Sequence, residues 1–496
     1  MTGRVRSYSH GRGGNHMIGK RNLGKAVVLG LLLSTGMYGA VWAAEVTTSE
    51  FLSGKYANGN AIEGVIIDTD KISVNQSITV NGVTTSADQN QNFIANKEIS
   101  VDKNVDLTFN NLFLNGPKIT GQGNIVVNTT AASGGNPIFV GGNIQANSLT
   151  LNTSKGDGIY LYEHDLTLDV EHLTINATAN GFIQETSEPP AILTTPTTTT
   201  IDDTQSINVN SSGSWAFHNN SQAGVFNNVY MRSDKENSVI NLMGANGYSH
   251  TSAGESILKA DNINIGAWSY YGVYAGSGGL LEIEAKNDVN IKDKVNEEEK
   301  IGSYAQRAAK AENGTLKVIA KNGSTTMIGR EEGVWTAGTG NATITSALNN
   351  KILAGKYGLH ATGKDITVTG QNNIIGADND VANNILDFNY GDGLAISSTN
   401  STVTTVSATG ENGYNAIYGA VSATGKDTTV GIGKLDVEGN TFSRISNGEV
   451  ANSIYSAAVI DKAGGLTGKE TTTDSETGET TTTGMDVVSA LYAEKG

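Results

Sequence analysis

Short alternating runs of hydrophobic and polar residues make up most of the chain after about residue 60, each about five residues long and bounded by Gly, Asn or Asp. Clear examples are 71–75, 105–109 and 124–128. A period of two is typical of β-strands that bury one face. The runs follow one another too closely to leave room for helices between them. The sequence therefore predicts an all-β fold.

A longer repeat organises these strands in the second half of the chain. A Gly followed by an apolar residue recurs in 271–276, 332–337, 357–362 and 392–397, and a β-branched strand follows each copy after a polar turn. Repeats of 20–50 residues indicate solenoids or propellers. The spacing is unequal, which favours a parallel β-helix (β-solenoid), because a loop can extend from one coil without disturbing the next. We expect coils to pair at about 4.8 Å, with apolar columns inside and Asn, Thr and Ser in the turns.

The composition excludes several other classes of protein. Gly (61 residues), Asn and Thr disfavour helix interiors, whereas 38 % hydrophobic residues can fill a core and argue against disorder. The chain has no Cys, which excludes disulfides, thiol catalysis and Cys-type zinc sites. After residue 43 there are 27 basic and 49 acidic residues, a net charge of −22. Such a surface disfavours nucleic-acid partners and anionic membranes.

Residues 1–43 have the features of a secretory signal peptide. Lys20, Arg21 and Lys25 precede the apolar run 26–33, and small residues lead to a cleavage-like end at Ala43. Met17 is the better start, since it gives a leader of conventional length. The alternative is an uncleaved anchor helix over 26–44, which is almost long enough to span a bilayer.

The mature chain divides into three parts. Residues 44–466 form the predicted β-helix, and 467–484, rich in Thr and Glu, is expected to be a protruding hairpin or a loop. The last part is 485–496, within which 490–496 matches the opening of a repeat such as 358–364. We therefore expect a further coil to begin there, and the chain to be a fragment or the product of an interrupted gene.

These features together resemble autotransporter (type V secretion) passenger domains. The leader ends in Val-Trp-Ala-Ala-Glu, and Tyr-Gly-[Val/Leu]-x-Ala-x-Gly units precede [Ile/Val]-Thr-Val strands over nearly the whole mature chain. The resemblance implies a right-handed, pectin-lyase-like β-helix, carried across an outer membrane by a C-terminal β-barrel. It also implies adhesion, autoaggregation or biofilm formation at the cell surface. No barrel strands are recognisable at the C-terminus, which puts surface delivery in doubt and leaves a secreted or periplasmic location open.

A search for catalytic and metal motifs favours a non-enzymatic protein. Asp202-Asp203 offers a carboxylate pair, but no Gly-His-Gly or Arg-x-Lys accompanies it in the mature chain, and a solvated turn explains it better. Ser256, after Gly254-Glu255, is the nearest approach to a serine-protease nucleophile and has no credible partner in the sequence. The segment 387–393 only partly matches a calcium loop. We expect no catalytic residue, cofactor or metal.

One position of the repeat suggests a ligand-binding surface. Directly after the apolar residue stand Tyr160, Tyr274, Trp335, His360, Tyr418 and Tyr492. In a strand this position faces away from the buried residue, so stacked coils would present an outward aromatic column, widened by Trp268 and Tyr270, to sugars or proteins. The alternative is that the rings pack beneath loops or point inward.

These observations predict an adhesin-like passenger that contacts host or bacterial surface glycans or proteins, including copies of itself. Two other readings stay open. A polysaccharide-degrading β-helix enzyme would need a carboxylate cluster that the sequence does not reveal. A structural stalk would hold a distal domain that this chain lacks.

Overall fold

The structure is a computed structural model that describes residues 43–83, 91–130, 137–186, 197–221, 226–292, 305–377, 394–399, 401–409, 413–418, 420–424 and 428–432, and the short strands beyond residue 450 given below. The chain divides into units 1–43 and 44–496. The second unit is an all-β solenoid of parallel strands, which confirms the predicted fold class. Its described residues include one helix, α1 (Thr48–Ser53).

The strands lie on three faces, and each strand pairs with the corresponding strand of the next coil. The first face contains β3 (Lys71–Val74), β6 (Glu98–Val101), β9 (Lys118–Gly121), β16 (Thr197–Asp202), β19 (Asn227–Arg232), β22 (Glu255–Ala260), β25 (Leu280–Ala285), β28 (Thr315–Ala320), β31 (Asn341–Ser346), β34 (Ile366–Gly370), β37 (Val403–Ala408) and β40 (Thr429–Ile432). The second face contains β1 (Ala44–Thr47), β4 (Ile78–Asn81), β7 (Asp106–Asn110), β10 (Asn124–Thr129), β17 (Ser206–Ser211), β20 (Val239–Gly244), β23 (Asn262–Ala267), β26 (Val289–Ile291), β29 (Thr325–Gly329), β32 (Asn349–Ala354), β35 (Asn372–Ala377), β38 (Tyr414–Tyr418) and β41 (Asn452–Tyr455).

The third face forms a separate sheet of 14 strands. It contains β5 (Gln91–Phe93), β8 (Leu112–Asn115), β11 (Ile138–Val140), β13 (Ile159–Tyr162), β15 (Phe182–Thr186), β18 (Trp215–Ser221), β21 (Asn246–Thr251), β24 (Tyr271–Ala275), β27 (Arg307–Glu312), β30 (Glu332–Ala337), β33 (Tyr357–Ala361), β36 (Leu394–Thr399), β39 (Ala420–Thr424) and β46 (Leu491–Glu494). Two long strands, β12 (Asn143–Thr153) and β14 (Leu166–Ala177), run through the corner between the first two faces and join them into one sheet of 28 strands.

Buried columns of aliphatic side chains fill the interior. On the second face Ile125, Leu149, Leu173 and Ile207 pair in register on successive coils, and all four are at most 1 % exposed. Alternate residues of each strand point outward, so every coil adds one layer to each column. No coil could bury its apolar face alone, and neighbouring coils stabilise one another.

The same column becomes polar in the later coils. Asn350, Asn373 and Asn415 occupy its buried positions, with Nδ2 of Asn350 donating to Oδ1 of Asn373 at 2.8 Å and Nδ2 of Asn373 donating to Oδ1 of Asn415 at 2.7 Å. The expectation that Asn lies in turns is wrong for these residues. A stacked row of amides satisfies its own donors and acceptors between coils, so burial costs less than for an isolated amide.

An N-terminal cap covers the first coil. Strand β1 pairs with β4, α1 follows, and β2 (Val65–Ile67) then pairs antiparallel with β3. Helix α1 begins with a capping box between Thr47 and Glu50, and its Phe51 is fully buried against Phe93 and Phe109, with ring centroids 6.2 and 6.4 Å away. Covering an open sheet end protects unpaired backbone groups from other chains.

Beyond residue 455 the described strands are short. Strands β42 (Ile460–Asp461) and β43 (Gly465–Leu466) pair antiparallel, as do β44 (Glu470–Thr473) and β45 (Thr480–Thr483). Strand β46 returns to the solenoid and pairs parallel with β39. The predicted leader, up to residue 42, and the weak calcium-loop match at 387–393 lie outside the described residues.

Candidate functional site on the third face

Five of the predicted column residues share one row of the third face, on β13, β24, β30, β33 and β46. Strand register places the following residues one after another along this row: Tyr160, Ile183, His218, Ser249, Tyr274, Lys310, Trp335, His360, Ser397, Ser422 and Tyr492. Val273 and Val334, which directly precede Tyr274 and Trp335, are fully buried. The rings of Tyr274 and Trp335 therefore point away from the core.

A lysine interrupts the aromatic row. Lys310 lies between Tyr274 and Trp335 on successive coils, with Nζ 5.5 Å from the Tyr274 ring centroid and 4.2 Å from that of Trp335. It is only 6 % exposed, and Nζ pairs with Oε2 of Glu312 at 2.5 Å. Lys310 was not predicted from the sequence, because its strand, Arg307–Glu312, has neither the Gly nor the aromatic residue of the repeat. The distance in sequence to the next repeat could have identified this strand, since Arg307–Glu312 lies one coil before Glu332–Ala337.

A second row flanks the first on the same strands. Tyr271, Arg307, Glu332 and Tyr357 pair in register. Arg307 Nε lies 2.5 Å from Oε2 of Glu332, an ion pair whose angles fall outside those of a hydrogen bond, and the guanidinium lies 4.6 Å from the Trp335 ring centroid. Opposite charges are thus neutralised between neighbouring coils.

The ring faces are already occupied by neighbouring side chains. Trp335 and His360 stack with centroids 5.9 Å apart and planes at 15°, and Tyr357 stacks on His360 at 4.1 Å and 16°. Lys310 covers a further face of Trp335. A sugar ring stacks on a free aromatic face. Around Trp335 and His360 the row therefore has the contacts of an inter-coil support and offers mainly ring edges to a ligand.

Hydrogen bonds fix the polar ends of these rings. Tyr160 donates to Oε2 of Glu185 at 2.9 Å, Tyr274 donates to Oε2 of Glu312 at 2.8 Å, and Trp335 Nε1 donates to Thr362 at 2.9 Å. Burial and the Glu185 carboxylate raise the pKa of Tyr160 to about 12. Both effects stabilise the neutral phenol, and they raise the pKa of Tyr274 as well. Tyr160 and Tyr274 therefore stay hydrogen-bond donors over the whole physiological pH range.

Two predicted residues lie outside the row. Tyr418 belongs to β38 on the second face, where it pairs with Gly376, so the repeat copy at 415–418 was aligned to the wrong face. Trp268 lies in the bend between β23 and β24, beside Tyr270. The side chains of Trp268 and Tyr270 are 36 % and 58 % exposed, which makes this bend a more open aromatic surface than the row.

The bend holds these two rings on a fixed backbone. The amides of Trp268 and Ser269 donate to the Ala245 carbonyl at 3.2 and 2.7 Å, and the Tyr270 amide donates to Oδ1 of Asn246 at 3.0 Å. On the other side, the Arg307 amide donates to the Tyr270 carbonyl at 2.8 Å. Hydrogen bonds to the coils before and after thus order the bend before any ligand binds.

Ser256 does have a histidine partner, contrary to the expectation from sequence. Its Oγ lies 2.8 Å from Nδ1 of His250, and it accepts a hydrogen bond from Tyr248 at 2.9 Å. All three residues are 0 % exposed. A nucleophile enclosed on all sides cannot reach a substrate, so the pair acts within the core.

The carboxylate pair at 202–203 does not form a shared site. Both oxygens of Asp202 accept from Arg232, at 3.0 Å from Nε and 2.9 Å from Nη2. Asp203 adopts a left-handed backbone, with φ of 52°, at the turn. The bidentate ion pair commits one carboxylate to inter-strand pairing.

No group of three or more His, Asp or Glu side chains in the described ranges could hold a metal ion. The same part of the chain contains no helix with the length and apolar character required to cross a bilayer. No protein-family model, curated protein or solved structure matches this chain.

Proposed function

We propose that this chain is an exported, adhesin-like passenger that makes non-enzymatic contacts with glycans or proteins at a cell surface. The exposed aromatic bend at Trp268 and Tyr270 carries the proposal. Trp and Tyr supply large amphipathic contact areas and dominate the energetics of many binding interfaces.

The ordering of the bend supports a binding role. Its backbone hydrogen bonds to Ala245, Asn246 and Arg307 hold the two rings outward before a partner arrives. A preorganised surface loses less conformational entropy on binding, which favours affinity. Among the described residues, no ion pair or stacked ring covers Trp268 or Tyr270, and the Tyr271 ring lies 6.4 Å from that of Tyr270 at a tilt of 40°.

Export and charge point to the same class of partner. The signal-like leader and the autotransporter-like repeat support a location outside the cytoplasm. A net charge of −22 after residue 43 disfavours polyanionic partners such as nucleic acids. Neutral or basic surface molecules, including host glycans and matrix proteins, fit this surface best.

The test is a binding screen of purified residues 44–496 against glycans, matrix proteins and whole bacterial cells. The double substitution Trp268→Ser and Tyr270→Ser should weaken binding at least about tenfold, because such aromatic anchors each contribute more than 1 kcal/mol at many interfaces. Phe226→Ser, at another exposed aromatic residue (53 % exposed), is the matched control and should leave binding unchanged.

Two results would contradict the proposal. Undiminished binding by the folded double variant would remove the aromatic bend from the contact surface. Absence of binding by the unsubstituted protein to every class in the screen would instead support the structural-stalk reading.

A further inference from the structure

His250 is enclosed with its two ring nitrogens already committed. Nε2 lies 3.0 Å from the Gly254 carbonyl, which can only accept, so Nε2 carries the hydrogen. Nδ1 must then be the acceptor, and it lies 2.8 Å from Ser256 Oγ and 3.1 Å from Nδ2 of Asn219, a donor. A proton on Nδ1 would face the Asn219 donor, and the Ser256 hydroxyl would have to turn from donor to acceptor. The hydrogen bonds present therefore match the neutral ring.

His218 occupies the neighbouring coil in a related setting. It pairs in register with Ser249, the residue before His250. Its ring stacks on Trp215, with centroids 5.4 Å apart and planes at 17°, and its buried Nδ1 has no hydrogen-bond partner among the residues that the structure describes. It is less enclosed than His250, which is 0 % exposed. Burial lowers the pKa of both histidines, from 6.5 to about 4.

Few charged groups approach the two rings. Burial lowers the pKa of His250, whereas hydrogen bonds to the backbone at Gly254 and Ser252, and then the charge of Glu255 on β22, raise it without reversing the effect of burial. On β15, the pair partner of His218 is Ile183, and Glu185 two residues later is bonded to Tyr160.

The remaining neighbours in the described coils carry no charge that could balance an imidazolium. Strand β24 presents Tyr274 opposite Ser249 and Ala275 opposite His250. On the histidine's own strand, Tyr248 is fully buried, and burial raises its pKa. Among the described residues, no carboxylate forms a hydrogen bond or an ion pair with either ring, and burial of an unpaired charge is strongly unfavourable.

We propose that His218 and His250 form an acid-sensitive pair that opens the coils between about residues 206 and 260 when the surroundings become mildly acidic. In the unfolded segment each histidine takes up a proton below its ordinary pKa of 6.5, whereas in the folded coils it stays neutral down to about 4. The stability that the two neutral histidines give to these coils is therefore complete above pH 6.5, and it falls as the pH drops from 6.5 towards 4. Over that range each histidine reduces the equilibrium constant between closed and open coils by up to about tenfold per pH unit.

Hydrogen–deuterium exchange of residues 44–496, corrected for intrinsic rates, tests this proposal at pH 7.0 and 5.0. The lower pH lies above the usual range of carboxylate titration, so ion pairs elsewhere stay intact. Exchange in β17 to β22 should accelerate by at least about tenfold at pH 5.0. Exchange in β30 to β34 should change much less.

Two variants separate the histidine effect from general acid lability. His218→Phe combined with His250→Gln should abolish most of the pH-dependent acceleration, while the exposed His164→Asn should retain it. Uniform acceleration along the chain, or no local acceleration in the unsubstituted protein, would overturn the proposal. The absence of local acceleration is measured on the unsubstituted protein. It therefore tests the proposal even if the double variant does not fold.

Discussion

Single residues determine how tightly each coil can turn from the second face into the third. A Cβ on Gly333 would lie 2.5 Å from the Gly358 carbonyl oxygen and 2.6 Å from Cγ2 of Ile352. A Cβ on Gly358 would meet the Ala395 carbonyl oxygen at 2.6 Å. The Gly of the repeat is thus required by close approach between adjacent coils, and not by an unusual φ.

Gly333→Ala should therefore destabilise the protein by about 1–3 kcal/mol, the usual cost of overpacking a tight site. Urea unfolding of residues 44–496, followed by circular dichroism, measures it. Ala308→Gly is the matched control, since Ala308 holds the corresponding position one coil earlier. It should cost only about 0.5–1 kcal/mol, from backbone entropy. Equal costs for the two changes would contradict the steric account.

The sequence predicts the direction of a side chain correctly where the alternation along one strand determines it. The prediction fails where the face of the solenoid on which the strand lies determines it. The outward direction of Tyr274 and Trp335 follows from alternation along one strand. Tyr418 sits in a similar local pattern but on another face, because a short strand of any face alternates in the same way. The partner of Ser256 was missed because His250 approaches it only through folding of the corner between them.

At the scale of elements, rows of asparagine connect the strands of the second face. Side-chain amides bond from coil to coil at 2.9–3.0 Å along Asn81, Asn110, Asn128, Asn152, Asn176 and Asn210. A second row runs along Asn208, Asn241, Asn264 and Asn290. The abundance of Asn was visible in the sequence, but its stacking depends on the strand register, which a single sequence does not fix.

Asn152→Ala removes both of the row's bonds at one coil, to Asn128 and from Asn176. The expected loss of unfolding free energy is about 1–2 kcal/mol, since each bond contributes about 0.5–1.5 kcal/mol and the two remaining amides are half-buried. Denaturant titration measures the loss. Asn143→Ala, at an exposed position of β12, should cost less than about 0.5 kcal/mol. The rows would contribute nothing to stability if the two variants unfolded alike.

At the scale of the whole molecule, the repeat predicts the coils and the composition predicts all-β architecture. The N-terminal cap escaped prediction, because α1 has six residues and only Phe51 anchors it in the core. Surface rows that neutralise their own charges, such as Arg307 with Glu332, were also invisible in the sequence. Arg307 and Glu332 are 25 positions apart, and only the coil length decides which residues meet.

The central claim is that successive coils stack in parallel register, and engineered disulfides test it directly because the chain has no Cys. Thr343 pairs with Thr367 on the next coil, and Thr367 pairs with Thr405 one coil further. Paired strands lie about 4.8 Å apart, within disulfide reach, whereas two coils span about twice that distance. Thr343→Cys with Thr367→Cys should form a disulfide readily under mild oxidation, and Thr343→Cys with Thr405→Cys should not. Equal cross-linking of the two variants, or none in the first although the protein is folded, would contradict the parallel solenoid.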